Sequence, residues 1–266
     1  MKFYDAHNHL QDGRFGGHQE ALLAAGEKTG IARMVVNGTR EADWPRVLAL
    51  ARQSPLVLPS FGYHPWHLRE RTPDWLKRLG EYLDQVPSAV GEIGLDRWQP
   101  DLPYAGQEEA FLAQWQLAAA RHLPVSIHCL RTWGRLYELL GGPARPAGGF
   151  VLHSFGGPAE LIPALAKLGA YFSFPGYFLN ARKRRQREAF RHVPAGRLLV
   201  ETDAPDQLLP PEQNHFPLAG PDGQPLNQPA NLAAVYQGLA DFLGEPVASL
   251  AARVEENFQR LFGGIR

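Results

Sequence analysis

The stretch "YDAHNHL", residues 4–10, sits at the start of the chain and carries an aspartate and two histidines where a core strand would be apolar. Successive strand side chains point to opposite faces, so His7 and His9 share one face and their imidazoles converge. Asp5 falls on that face as well. A strand that ends in two converging imidazoles is the opening of a site, and the rest of the chain decides what kind of scaffold presents it.

Working outward, short β-rich runs alternate with longer helix-period segments. The strand candidates are residues 2–10, 31–38, 56–64, 88–96, 124–130, 149–155, 170–176 and 197–205, which makes eight. Helix candidates lie between them, including "TPDWLKRLGEYLDQV", with Thr72 expected as N-cap and Pro73 in the first turn, and "GQEEAFLAQWQLAAARHL". Strands separated by helices imply parallel pairing through right-handed crossovers, and eight such units close into an α/β TIM (β/α)8 barrel. A single domain over residues 1–266 is expected. A Pro/Gly-rich loop spans residues 208–231 after the last strand.

Composition narrows the function classes. The hydrophobic fraction of 44% and charged fraction of 20% exclude a mainly disordered chain. Lys+Arg and Asp+Glu both total 27, so any nucleic acid must be held by a local basic patch rather than by net charge. Cys129 is the only cysteine, which excludes an internal disulfide and a thiolate metal cluster. With no apolar leader and no run of the ~20 residues a membrane span needs, the expectation is a cytoplasmic protein with no membrane contact. No obligatory protein partner is evident.

In a barrel of this kind the chemistry sits at the carboxyl ends of the strands. His7, His9, Glu92, His128, His153 and Asp203 all fall within or late in the candidate strands. Singly, each is more often a hydrogen-bonded core residue than a ligand. Together they would put several unpaired polar groups into one mouth, at ~1–3 kcal/mol each, a cost that a divalent cation converts into binding. Four imidazoles with two carboxylates suit Zn, Mn or Fe ions. Six ligands exceed what one catalytic zinc uses, so a pair of ions bridged by Glu92 is expected.

The blocks "DAHNHL", "GYHPW", "GEIGLD", "PVSIHCLRTW", "VLHSFGG", "YFSFPG" and "LLVETDAP" occur in this order along nearly the whole chain. The chain in these respects resembles the TatD family of metal-dependent hydrolases, also called TatD-like DNases, in the amidohydrolase superfamily. The resemblance implies two divalent ions, drawn from Zn, Mn, Mg, Fe or Ni. His7, His9 and Glu92 would hold one, and Glu92, His128 and His153 the other; Asp203 would bind the first ion and act as general base. It also places His64 at the rim as a phosphate contact. The implied activity is a deoxyribonuclease or exonuclease acting on single-stranded DNA or another phosphodiester; the alternative is an enzyme that uses the same dinuclear site on a small ester, lactone or amide.

The chain departs from the family at three places. Arg97 and Trp98 follow "GLD" where an aromatic pair is usual, the arginine after His128 comes one place later, at Arg131, and the segment after "ETDAP" is longer. Arg131 is kept as a candidate substrate contact. The run "ARKRRQREAFRHV", residues 181–193, reads either as a solvated helix face or as a phosphate track aided by base stacking on Trp66, Trp98 or Trp133. Asp5 is expected behind the site, fixing an imidazole or the neighbouring backbone. Cys129 is expected to point away from it.

Overall fold

The computed structural model describes residues 1–99, 101–102 and 104–265. Eight strands, β1 (Phe3–Asn8), β2 (Ile31–Asn37), β3 (Val57–Phe61), β4 (Ala89–Asp96), β5 (Val125–Leu130), β6 (Phe150–Leu152), β7 (Ala170–Pro175) and β8 (Leu198–Glu201), form one sheet in chain order. Every recorded neighbour pair from β1 to β8 is parallel. Between them run α1 (Gln19–Lys28), α2 (Trp44–Gln53), α3 (Trp75–Leu83), α4 (Tyr104–Ala120), α5 (Trp133–Leu140), α6 (Ile162–Lys167) and α7 (Arg184–Ala189). Two further helices, α8 (Leu232–Leu243) and α9 (Val247–Phe262), follow β8. This is the (β/α)8 barrel expected from the alternation.

The strands are buried along nearly their whole length, as parallel strands covered by helices on one side and packed against each other on the other must be. The helices turn an apolar stripe to that sheet; α9 buries Leu250, Val254, Phe258 and Leu261, spaced by three and four residues. In α8, Tyr236 donates its hydroxyl to the carbonyl of Tyr4 at 3.0 Å and accepts from the Tyr4 N–H at 3.1 Å, which seats β1 against the helical layer.

The ends of the sheet meet where the site lies. The N–H of Asp203 donates to the carbonyl of His7 at 2.9 Å, and that of His9 to the carbonyl of Ala204 at 2.7 Å. Asp5 reinforces this seam: its carboxylate accepts from the Thr202 N–H at 3.0 Å, the Thr202 hydroxyl at 2.6 Å and the His7 N–H at 3.2 Å. Asp5 therefore fixes backbone, as one of the two expected roles had it, while the imidazoles are oriented by other groups.

Several local expectations are corrected. The strands are shorter than the apolar runs, and β1 ends at Asn8, leaving His9 just beyond it. Thr72 does not cap α3; that helix begins at Trp75 after Asp74, and the Thr72 hydroxyl goes to Glu41 at 2.7 Å and Asp74 at 3.0 Å. Residues 181–193 do not form one helix but a short α7 flanked by 3₁₀ turns, with Arg187 donating to the carbonyl of Leu179 at 2.8 Å. The segment 208–231 is structured: β9 (Leu218–Ala219) and β10 (Pro225–Leu226) make a small hairpin. Asn231 secures it through the Phe216 N–H at 3.0 Å.

Candidate metal centre

Six side chains predicted to meet do meet. His7 Nε2 and His9 Nε2 are 3.3 Å apart. Both face Glu92 Oε2, at 3.4 and 3.2 Å, and Asp203 Oδ1, each at 3.6 Å. The other oxygen, Glu92 Oε1, faces His128 Nδ1 at 3.1 Å and His153 Nε2 at 2.9 Å, and these two nitrogens are 3.2 Å apart. Glu92 thus divides its two oxygens between two clusters.

Close packing of backbone makes this possible. A Cβ on Gly62 would fall 2.7 Å from the carbonyl carbon of Gly91 and 2.9 Å from the carbonyl oxygen of Glu92. A Cβ on Gly94 would lie 2.0 Å from the carbonyl oxygen of His128. Glycine at these two places lets β3, β4 and β5 converge behind Glu92. Asp203 and Ser154 take left-handed backbone conformations, φ 51° and 45°, which turn the chain sharply just past β8 and β6.

The ring nitrogens away from the centre are committed. His9 Nδ1 donates to the carbonyl of Asn37 at 2.8 Å, His128 Nε2 to Asp96 Oδ2 at 2.9 Å, and His7 Nδ1 meets the Ser126 hydroxyl at 2.8 Å. A carbonyl can only accept, so neutral His9 carries its proton on Nδ1 and aims a lone pair at two carboxylate oxygens. The same holds for His128 Nδ1 toward Glu92. Lone pairs aimed at carboxylates repel unless a cation lies between them. The donor set therefore fits divalent cations of the kind that take imidazole and carboxylate together. His153 is braced differently: its Nδ1 is 3.7 Å from Glu201 Oε1, and Glu201 is itself held by the hydroxyls of Ser154 and Ser173.

Electrostatics follow the same division. Burial drives His7 down to about 3 and lifts the Asp203 carboxyl to about 7. Burial opposes the charged form of His9 too, but its hydrogen bond to Glu92 and the charges of Glu92 and Asp203 prevail and carry it to about 9. Glu92 is held well below the usual carboxylate range, against burial, by the imidazoles around it.

His64 lies within this group rather than on an open rim: it is buried, with Nε2 3.4 Å from Glu92 Oε1. Its Nδ1 accepts the N–H of Trp66 at 3.2 Å, so a neutral ring carries its proton on Nε2 and presents a donor, not a lone pair, to the centre. Burial pushes its pKa down to about 4. Arg131 is exposed just past β5, at φ 58°. Cys129 is buried away from the clusters against the Thr132 hydroxyl at 3.2 Å, and burial pushes its thiol up to about 12.

Sequence reasoning missed Asp96, Glu201, Ser126 and two glutamines of α4. Gln107 brackets the backbone of Asp96, accepting from its N–H at 2.7 Å and donating to its carbonyl at 2.9 Å. Gln114 does the same for Tyr63, at 2.7 and 3.2 Å. Their spacing of seven, which puts two amides on one face of α4, was the available signal.

A (β/α)8 barrel with clustered imidazoles and carboxylates at the carboxyl ends of its strands defines a metal-dependent hydrolase scaffold. Residues 4–263 match the family model described as TatD related DNase, and the chain belongs to that family. It is 32% identical to the uncharacterized metal-dependent hydrolase YjjV of Escherichia coli K12, over 98% of both chains. It is 33% identical to the 3′-5′ ssDNA/RNA exonuclease TatD of Pantoea ananatis, over 98% of this chain and 99% of the relative. The crystal structure of E. coli YjjV superposes with a TM-score of 0.88 at 30% identity, over 98% of both chains. The protein is thus a metal-dependent hydrolase of the TatD family. Among the described residues, no helix is long and apolar enough to cross a membrane.

Proposed function

We propose that the whole chain, residues 1–266, works as one barrel domain that removes terminal nucleotides from single-stranded DNA or RNA with two divalent ions. The observation that carries this reading is the division of Glu92 between two imidazole pairs, Oε2 with His7 and His9 and Oε1 with His128 and His153. His7, His9, Glu92 and Asp203 would hold one ion; Glu92, His128 and His153 the other. Bound there, such cations make a water acidic enough to lose its proton near neutral pH and offset the charge that develops on a phosphate.

The chain's own residues supply the rest. Asp203 accepts the water's proton and returns it to the departing oxygen, with Gln207 donating to its Oδ2 at 2.6 Å and holding the carboxylate in place. His64 donates from Nε2 to a phosphate oxygen, and Arg131 offers its exposed guanidinium to the backbone of the substrate. Arg182 and Lys183 lie 5.1 and 4.8 Å from the centre of the Tyr177 ring, just past β7, and would offer two cations to a polyanion. The names of the relatives support the choice of nucleic acid and the 3′ end. A cytoplasmic setting suits a chain whose one thiol, Cys129, is free and buried.

The test is degradation of 3′-labelled single-stranded DNA and RNA with Mn²⁺ or Mg²⁺, beside a panel of lactones and simple esters. Wild type is expected to shorten the oligonucleotides and Asp203→Asn to be slower by ~10²–10⁴-fold. Hydrolysis of the lactone panel with intact oligonucleotides would replace this reading with the small-molecule one.

A further inference from the structure

We infer that Trp66 and Trp98 form a stacking platform for the base of the nucleotide adjoining the scissile phosphate, and that Asp96 keeps this platform in register with the metal centre. The inference rests on the nuclease reading above and adds where the base lies.

Of the six tryptophans, Trp44 and Trp115 are buried, and Trp75 and Trp133 are half-buried against Tyr63 and Phe155, with ring centroids 5.8 and 4.7 Å apart. Trp66 and Trp98 are 41% and 50% exposed. Exposed indoles spaced singly are ordinary, but these two are neighbours: their centroids are 6.2 Å apart and their planes differ by 31°. They also adjoin the centre. Trp66 stands edge-on to His64 at 5.1 Å and to His128 at 6.1 Å.

A single buried carboxylate organises the arrangement. Asp96 Oδ2 accepts from the Trp66 indole at 2.7 Å and from His128 at 2.9 Å, while Oδ1 accepts from the Trp98 backbone N–H at 2.5 Å. With Gln107 gripping its backbone, Asp96 cannot shift without moving the platform and His128 together. The Trp66 plane is thus set before substrate arrives, so little ordering cost falls on binding. Every base has a π-face, so a platform of this kind takes any base, as an enzyme that shortens strands of arbitrary sequence requires. Trp133, the third tryptophan considered from the sequence, is spent on the contact with Phe155.

The test compares oligonucleotides whose terminal or penultimate residue carries either a base or an abasic tetrahydrofuran. Wild type is expected to favour the base-bearing end at one of these positions by about 5- to 150-fold, the equivalent of ~1–3 kcal/mol per stacked base. This ratio should collapse toward one in Trp98→Ala and Trp66→Ala and recover in Trp98→Phe. Quenching of intrinsic tryptophan fluorescence by the base-bearing oligonucleotide should weaken in Trp98→Ala, which is a binding readout independent of turnover. Oligonucleotide cleavage with no base preference, or alanine variants that keep the full preference, would overturn the platform and leave the nuclease reading standing. A wild type that cleaves only lactones or esters would overturn both.

Discussion

His9 Nε2 lies 3.2 Å from Glu92 Oε2 although the Nδ1 of the same ring is already committed as a donor to the carbonyl of Asn37. A positive charge between ring and carboxylate resolves the conflict. A proton can serve as that charge, and a divalent cation can replace it.

Metal loading should therefore expel protons. In the metal-free protein the hydrogen bond to Glu92 and the charges of Glu92 and Asp203 lift His9 to about 9, so this ring is charged at pH 7.5, and Glu92 and Glu201 hold His153 above its ordinary 6.5. Binding requires the neutral rings. Calorimetric titration with Zn²⁺ or Mn²⁺ in buffers of different ionisation enthalpy should give enthalpies that differ by the protons released, and affinity should rise with pH up to about 9. The sign for the metal-free fold is opposite: with its pKa raised, His9 contributes stability that is complete below 6.5 and lost as pH climbs through about 9. Equal enthalpies in all buffers would contradict the assignment.

Removing the metal should abolish hydrolysis and lower thermal stability together. A cation bound only by the folded chain adds ~2.7 kcal/mol at a hundred times its dissociation constant, and exhaustive chelation withdraws this. Scanning calorimetry before and after dialysis against a chelator, followed by readdition of single metals, checks both effects. Hydrolysis that survives complete removal would exclude the dinuclear reading.

Glu201→Gln should weaken one cluster selectively. Glu201 stands behind His153 at 3.7 Å and receives the hydroxyls of Ser154 and Ser173. Loss of a carboxylate behind a ligating imidazole costs about 10- to 100-fold in metal affinity. The expected result is loss of one of two equivalents by elemental analysis at limiting metal, with the equivalent held by His7 and His9 retained.

Asp5→Ala should destabilise the fold without touching an imidazole. The substitution leaves the Thr202 N–H and hydroxyl and the His7 N–H without their acceptor, all of them buried. With ~1–3 kcal/mol for each buried donor left unpaired, a loss of at least ~2 kcal/mol is expected in urea unfolding. A midpoint equal to that of wild type would show that the seam between β1 and β8 needs no such pin.

The alternation of β-rich and helix-period segments determined the barrel, because a parallel strand buried on both faces must be apolar and must be followed by a covering helix. The polar exceptions within or just past the strands, His7, His9, Glu92, His128, His153 and Asp203, were legible for the same reason: a charged or imidazole group in such an apolar run stands out against its neighbours. Tertiary structure decided everything that depends on which atom faces which. Asp96 and Glu201 sit in apolar strands beside more conspicuous residues, and nothing along the chain reveals that one backs His128 and the other His153. Likewise His64 was recognisable as a site residue, but only the Trp66 N–H on its Nδ1 makes it a donor rather than a ligand. Periodicity reports which face a side chain is on; partners come from strands far apart in sequence, and only closure of the barrel brings them together.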